Sequence, residues 1–147
     1  VDPAYLSGLT IRGGNADGAG AHATGGGILI SGGSFAGRIY LNNCVLRDNR
    51  ASVRGGAIGG AGGSSYGVVA LVDCLVEDNA AITGNGGGIA AQSVELARSV
   101  VRSNRSGGMG GGVWAPSGIK AESCQFAGNE AAPTSSTGTR RHSAPAR

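Results

Sequence analysis

The stretch Leu71-Val-Asp-Cys-Leu-Val-Glu-Asp-Asn79 decides how this chain folds, because four other segments repeat its pattern. They are Leu41-Asn-Asn-Cys-Val-Leu-Arg-Asp-Asn49, Leu96-Ala-Arg-Ser-Val-Val-Arg-Ser-Asn104, Ala121-Glu-Ser-Cys-Gln-Phe-Ala-Gly-Asn129 and a degenerate first copy, Leu6-Ser-Gly-Leu-Thr-Ile-Arg-Gly-Gly14. Their starts lie 35, 30, 25 and 25 residues apart, and periods in that range mark a solenoid. Apolar or small residues hold the first, fourth and sixth places, and Asn usually holds the ninth. In 71–79 this predicts that Leu71, Cys74, Val76 and Asn79 point inward. Val72 and Asp73 turn the chain, and Leu75, Glu77 and Asp78 lie on the outer side. The alternation through Cys74, Leu75 and Val76 has the period of a strand and not that of a helix.

A second motif alternates with the nonamer. Gly25-Gly-Gly-Ile-Leu-Ile30, Gly55-Gly-Ala-Ile58, Gly86-Gly-Gly-Ile-Ala-Ala91 and Gly110-Gly-Gly-Val-Trp114 each precede one copy. Gly allows a corner and close approach of backbones, and the β-branched residue that follows starts an inward-facing strand. One glycine corner, a short strand, a loop and a nonamer complete a coil of about 25 residues. Equivalent strands in successive coils then pair in parallel about 4.8 Å apart, each coil serving as the crossover that parallel strands require. Such crossovers are right-handed. The expected fold is all-β, a single-stranded right-handed parallel β-helix of about five coils over residues 1–130, read as part of a longer solenoid. Residues 131–147 lack the repeat and read as a disordered basic tail. Segments 15–24, 31–38, 50–54, 59–67 and 80–85 read as loops of varying length.

Stacking accounts for the most conspicuous polar residues. Asn49, Asn79, Asn104 and Asn129 share one phase and are expected to form a ladder of amides. Cys44, Cys74 and Cys124 share another, with Ser99 in the remaining copy, which predicts a buried column of small side chains. A Cys44–Cys74 disulfide is the less favoured alternative, because stacked side chains run parallel and suit its geometry badly. Arg12, Arg47, Glu77 and Arg102 hold the seventh place, so Glu77 falls between two arginines, a pairing that contributes roughly 0.2–1 kcal/mol.

Composition narrows the classes of function. Thirty glycines, 4% aromatics and 14% charged residues leave few large side chains for an ordinary core. The net charge of +3 is scattered and Lys120 is the only lysine, whereas a nucleic-acid footprint is a concentrated patch. No apolar run approaches about 18 residues, so no membrane span is read. No leader opens the chain, which is read as an excerpt.

The two motifs resemble the repeats of polymorphic outer membrane proteins, which carry G-G-A-[ILV] and F-x-x-N in each coil. Gly55-Gly-Ala-Ile58 and Phe126-Ala-Gly-Asn129 match literally. Leu46-Arg-Asp-Asn49, Val76-Glu-Asp-Asn79, Val101-Arg-Ser-Asn104 and the three Gly-Gly-Gly-[IV] segments are relaxed versions. The likeness spans roughly residues 6–130. It implies export, a location outside the cell or at the outer membrane surface, and an adhesive or passenger role without catalysis.

Some β-helices cleave polysaccharides, and such chemistry needs paired carboxylates. Only Asp48, Glu77 and Asp78 stack closely enough to form an acidic cluster, with Arg47 and Arg102 placed to neutralise it. Gly63-Ser-Ser-Tyr-Gly67 fits G-x-S-x-G but lacks the strand–turn–helix setting that the nucleophile needs, and the only candidate bases are His22 and His142. Gly13-Gly-Asn-Ala-Asp17 resembles a calcium-binding β-roll nonapeptide, yet its Asp comes one place early and the pattern does not recur. No zinc-ligand or nucleotide-loop spacing is present. Asn104-Arg-Ser106 is a formal glycosylation sequon whose Asn belongs to the inward column. Thr10, Thr24 and Thr83 occupy different phases and make no ice-binding array. Trp114 follows an inward Val and is expected to face outward, where it or Tyr66 would stack on a sugar. The expectation is therefore a scaffold or adhesin-like surface with no catalytic, cofactor or metal residues. Its partners would be carbohydrate or a cell-surface protein, and the alternative is a polysaccharide lyase or hydrolase.

Overall fold

The computed structural model describes residues 3–31, 37–61 and 67–132. Among the described residues all strand pairing is parallel, in four sheets that stack along a parallel β-helix. Sheet A stacks Ala4–Ser7, Arg38–Asn42, Val68–Val72, Ser93–Ala97 and Ile119–Glu122. Sheet B stacks Thr10–Arg12, Val45–Arg47, Leu75–Glu77, Val100–Arg102 and Gln125–Ala127. Sheet C stacks the two-residue strands Asn15–Ala16, Arg50–Ala51, Ala80–Ala81, Arg105–Ser106 and Glu130–Ala131. Sheet D stacks Ile28–Ser31, Ile58–Ala61, Ile89–Ala90 and Val113–Trp114. Each nonamer thus begins at the end of a sheet A strand, turns, and contributes a whole strand to sheet B.

In the three middle copies the inward set is as the repeat predicts: Leu41, Leu71 and Leu96, then Cys44, Cys74 and Ser99, then Leu46, Val76 and Val101 are all buried. In the copy 121–129, with no described coil stacked beyond it, Cys124 is only half-buried and Ala121 and Phe126 are exposed. Sheet A extends further back than the nonamer, and Ile39, Val69 and Val94 bury a second inward residue two places before its start. Segments 15–24, 50–54 and 80–85, expected to be loops, each contain a strand of sheet C, and 59–67 contains the end of the Ile58–Ala61 strand. Two residues are too few for periodicity to register; the pairing shows only once coils stack. Hydrogen bonding continues past residue 130, since the Ala132 N–H donates to the Ser106 carbonyl at 2.9 Å.

The corners of each coil are made by backbone chemistry at the third and eighth places. Asn43, Asp73, Ser123, Asp48, Asp78 and Ser103 all have φ between 52 and 54°, and Gly8, Gly13 and Gly128 have φ of 66, 68 and 60°. This left-handed region costs most residues energy, and Gly, Asn and Asp enter it most readily. The acids at these places are therefore turn formers first. Arg98, with φ of 45°, is the exception; its guanidinium donates to Asp73 of the coil before at 2.8 and 2.9 Å.

The glycine motif closes the coil. Gly86 turns the chain with φ of 70°. At the second position the demand is for space: a Cβ on Gly56 would lie 2.3 Å from the Gly87 carbonyl oxygen of the next coil. The third position tolerates a methyl, and Ala57 there is fully buried.

The ninth residues form the ladder. The side-chain oxygen of Asn79 accepts the backbone N–H and the amide of Asn49, each at 3.0 Å. Asn104 does the same for Asn79 at 3.1 and 2.9 Å, and Asn129 for Asn104 at 3.1 and 2.9 Å. Each amide also donates to the sixth-place carbonyl one coil earlier: Asn49 to Ile11, Asn79 to Leu46, Asn104 to Val76 and Asn129 to Val101. Gly14 keeps the backbone half of the pattern, its N–H donating to Asn49 at 2.9 Å. Truncating a rung leaves buried donors and acceptors unsatisfied, at about 1–3 kcal/mol for each group. Asn79→Ala is expected to lower unfolding stability by about 3 kcal/mol in urea titration, and the half-buried terminal Asn129→Ala by about 1 kcal/mol. Equal losses at the two positions would mean that burial of the ladder is not what gives it its strength.

Candidate functional site

Because the interior is filled by the repeat, chemistry is left to the outer faces, and sheet A has the most varied one. Its in-register pairing places Tyr5, Tyr40, Ala70, Glu95 and Lys120 in one outward column, each side chain one rung from the next. The adjoining outward column reads Ser7, Asn42, Val72, Ala97 and Glu122. The Tyr5 and Tyr40 rings stack with centroids 5.0 Å apart and planes 12° from parallel, close to the spacing of the strands that carry them. At the other end of the column Lys120 Nζ lies 3.6 Å from Glu95 Oε1.

Between these ends the face is hollow. A cavity of about 270 Å³ is lined by Tyr5, Ser7, Tyr40, Asn42, Ala70 and Val72. A second of about 280 Å³, bordered by Glu95, Lys120 and Glu122, shares Ala70 and Val72 with it. The two form a trough along the helix axis, aromatic at one end, small-floored in the middle and charged at the other. A larger hollow of about 690 Å³ runs beside the last strands of sheet C. Its walls are mostly backbone and alanines, with Arg105 and Glu130 as its charged groups, so it offers little to orient a ligand.

The acids singled out from the sequence are held by charge partners or placed at corners. Glu77 is in register with both Arg47 and Arg102, but its carboxylate bonds Arg102, at 2.7 Å from Nη2 and 2.9 Å from Nε. Arg47 turns instead toward its neighbour Asp48, 3.8 Å away. Asp48 and Asp78 occupy the left-handed corner of successive coils. The Asn104 of the sequon is buried, with its amide donating within the ladder. Trp114, expected on the outside, is only half-buried, and its in-register neighbour is the buried Ala90. Tyr66, Gly63 to Tyr66 of the Ser-centred motif, and His142 lie outside the described residues, as does the side chain of His22.

All three cysteines are free, and the disulfide alternative falls away. Each thiol instead donates to the carbonyl two residues before it: Cys44 to Asn42 at 3.3 Å, Cys74 to Val72 at 3.2 Å and Cys124 to Glu122 at 3.2 Å. The Ser99 hydroxyl makes the same bond to Ala97 at 2.8 Å, which explains why Ser substitutes for Cys in that copy. Burial pushes the Cys74 thiol above its ordinary range, the opposite of what a nucleophile needs. Among the described residues no group of His, Cys, Asp and Glu is arranged to hold a metal, and no helix is long and apolar enough to cross a membrane.

The tyrosine pair was not singled out from the sequence, although a signal was there. Tyr5 immediately precedes Leu6 and Tyr40 immediately precedes Leu41, so both hold the place before the nonamer. Starting the repeat one residue earlier would have put them in one column. No family model matches the chain, and no curated protein or solved structure shows significant similarity to it.

At the turn from sheet A into sheet B, the hydrogen bonds from Arg98 hold the Asp73 carboxyl below its ordinary value of 3.8. A carboxyl depressed in the folded state adds stability above its unfolded value, and that contribution is lost as pH falls through the folded value. In an NMR titration Asp73 is expected to protonate below 3.8 and to return toward it in Arg98→Met. The same variant should lose less stability than the parent between pH 5 and strongly acid conditions; an unmoved Asp73 titration would show that the pair is not held in solution.

Proposed function

We propose that the chain is a non-catalytic β-helix segment of an exported or cell-surface bacterial protein, a rigid scaffold that presents a binding face. The observation that carries this reading is the division of labour among its polar residues. Those that recur with the repeat are committed to structure: the asparagines to the ladder, the cysteines and Ser99 to carbonyls of the preceding turn, the acids at the third and eighth places to left-handed corners. The residues that break the repeat gather on the outer face of sheet A, where Tyr5, Tyr40, Asn42, Glu95 and Lys120 line a trough. A surface built this way recognises by shape and position and suits a carbohydrate or a cell-surface protein as partner.

The export and outer-membrane setting rests on the likeness to polymorphic outer membrane protein repeats. That likeness, and not the location itself, is supported by what the matching residues do here: Gly55 supplies the corner, Gly56 the close approach, Ala57 the filled third place, and Asn129 the last described rung of the ladder.

The reading is tested against the polysaccharide lyase or hydrolase alternative with its only acids, Asp48, Glu77 and Asp78. The protein and an Asp48→Asn, Glu77→Gln, Asp78→Asn variant are incubated with plant, algal and bacterial polysaccharides, and reducing and unsaturated sugar ends are measured. Neither protein should release sugar above the blank. Release by the parent that the triple variant abolishes would overturn the proposal.

A further inference from the structure

We propose that the space above Ala70 is a socket for one neutral pyranose ring, which stacks on Tyr40 and continues the Tyr5–Tyr40 column. The proposal rests on the reading of the chain as a binding scaffold and names what its sheet A face would hold.

The argument begins with the column itself. Rungs of a parallel sheet lie about 4.8 Å apart, and the tyrosine rings already stack at nearly that distance, 5.0 Å. The next side chain, Ala70, is a methyl group and is too short to cover the far face of the Tyr40 ring. The following one, Glu95, is long again and exposed. The column therefore skips one ring-sized place between an aromatic face and a carboxylate, and the two hollows, of about 270 Å³ on the tyrosine side and about 280 Å³ on the Glu95 side, meet there over Ala70 and Val72. Each hollow is just below the range of about 300–1,000 Å³ usual for small-molecule sites, which suits successive sugar units of one chain better than a large rigid ligand.

The surrounding groups select the chemistry. A pyranose has an apolar C–H face that stacks on an aromatic ring and a rim of hydroxyls that need partners. Here Glu95 accepts hydroxyl protons, while the Asn42 amide and Ser7 hydroxyl, in the adjoining column, donate and accept. A purely aromatic ligand would bury these polar groups without satisfying them, which is costly. An anionic sugar would meet Glu95 and Glu122 in the adjoining hollow. The Glu95–Lys120 contact at 3.6 Å offsets the charge that would otherwise favour a cation. Tyr5, 73% exposed, backs Tyr40 and holds its ring in the stacking plane. The trough runs along the helix axis, so further sugar units extend over Ala97 toward Lys120.

The test uses the whole chain, with cellohexaose, chitohexaose and maltohexaose as neutral probes and hexagalacturonate as the anionic one. Binding is followed by amide shifts in proton–nitrogen NMR. At least one neutral hexaose is expected to shift residues 40–42 and 70–72, and hexagalacturonate is not. Tyr40→Ala should weaken that binding tenfold or more. Ala70→Leu, which fills the socket and leaves both tyrosines in place, should abolish it with an unchanged amide spectrum elsewhere, and Trp114→Ala should bind as the parent does. The proposal is overturned if no neutral hexaose moves residues 70–72, or if binding survives Ala70→Leu. Failure of binding without sugar cleavage sinks the socket alone. Cleavage of a bound hexaose sinks the non-catalytic reading and leaves the socket in place.

Discussion

The amide ladder is the constraint on which the other features of this molecule depend. A coil of 25 residues with so few large side chains buries little apolar area, and each coil contacts only its neighbours. The inward asparagines compensate by tying three elements together at once. Asn79 accepts from Asn49, donates to Asn104 and binds the Leu46 carbonyl of the preceding coil and the Glu77 carbonyl of its own. Those bonds are buried, where an amide has no water to exchange with and an unpaired group is costly. One residue per coil therefore fixes the register of successive coils at the turn from sheet B into sheet C. A slip of one place would turn the amide outward and leave the backbone groups it serves unpaired.

The glycine motif follows from the same geometry. A corner that brings its backbone close to the neighbouring coil leaves no space for a side chain at Gly56 or Gly87, and the methyl of Ala57 marks the limit of what fits. Short side chains at the Cys and Ser places serve a related purpose, since Cys74 and Ser99 both reach a carbonyl only two residues back. Such a core gains stability through many repeated small contacts. Its uniformity leaves the outward positions free to vary without disturbing it.

How much of this was legible in the sequence depended on how each element is encoded. Sheet B and the inward Leu, Cys and Asn columns were readable because their places within the nonamer recur, Leu and Asn in four copies and Cys in three. Sheet C was not: Arg50–Ala51 and Ala80–Ala81 are two residues long, and a strand that short carries no period. The corners were only half readable. Gly, Asn, Asp and Ser recur at the third and eighth places, but Arg98 breaks the rule, and its conformation makes sense only beside Asp73 of the preceding coil. Asp48 and Asp78, which with Glu77 were the only acids the sequence could stack, hold left-handed corners; turn chemistry and acid chemistry use the same residue type, so the sequence alone does not separate the two roles. The Tyr5–Tyr40 pair escaped because each tyrosine lies just before its nonamer, outside the window in which the copies align.

The position of the candidate site follows from this arrangement. In a solenoid, identical outward residues in every coil would make a uniform strip, which a ligand contacts equally at every rung and so without a defined register. Recognition needs a break in the strip, and sheet A supplies one: two tyrosines, then an alanine, then a glutamate, all in one column. The rigid interior holds those differing side chains at fixed rung spacing, so the gap at Ala70 has a definite depth and definite walls. A flexible loop could carry the same residues but would have to be ordered on binding, at a cost in conformational entropy. The ladder that makes the chain look repetitive is thus what holds a single departure from the repeat in a defined place, as the proposed site requires.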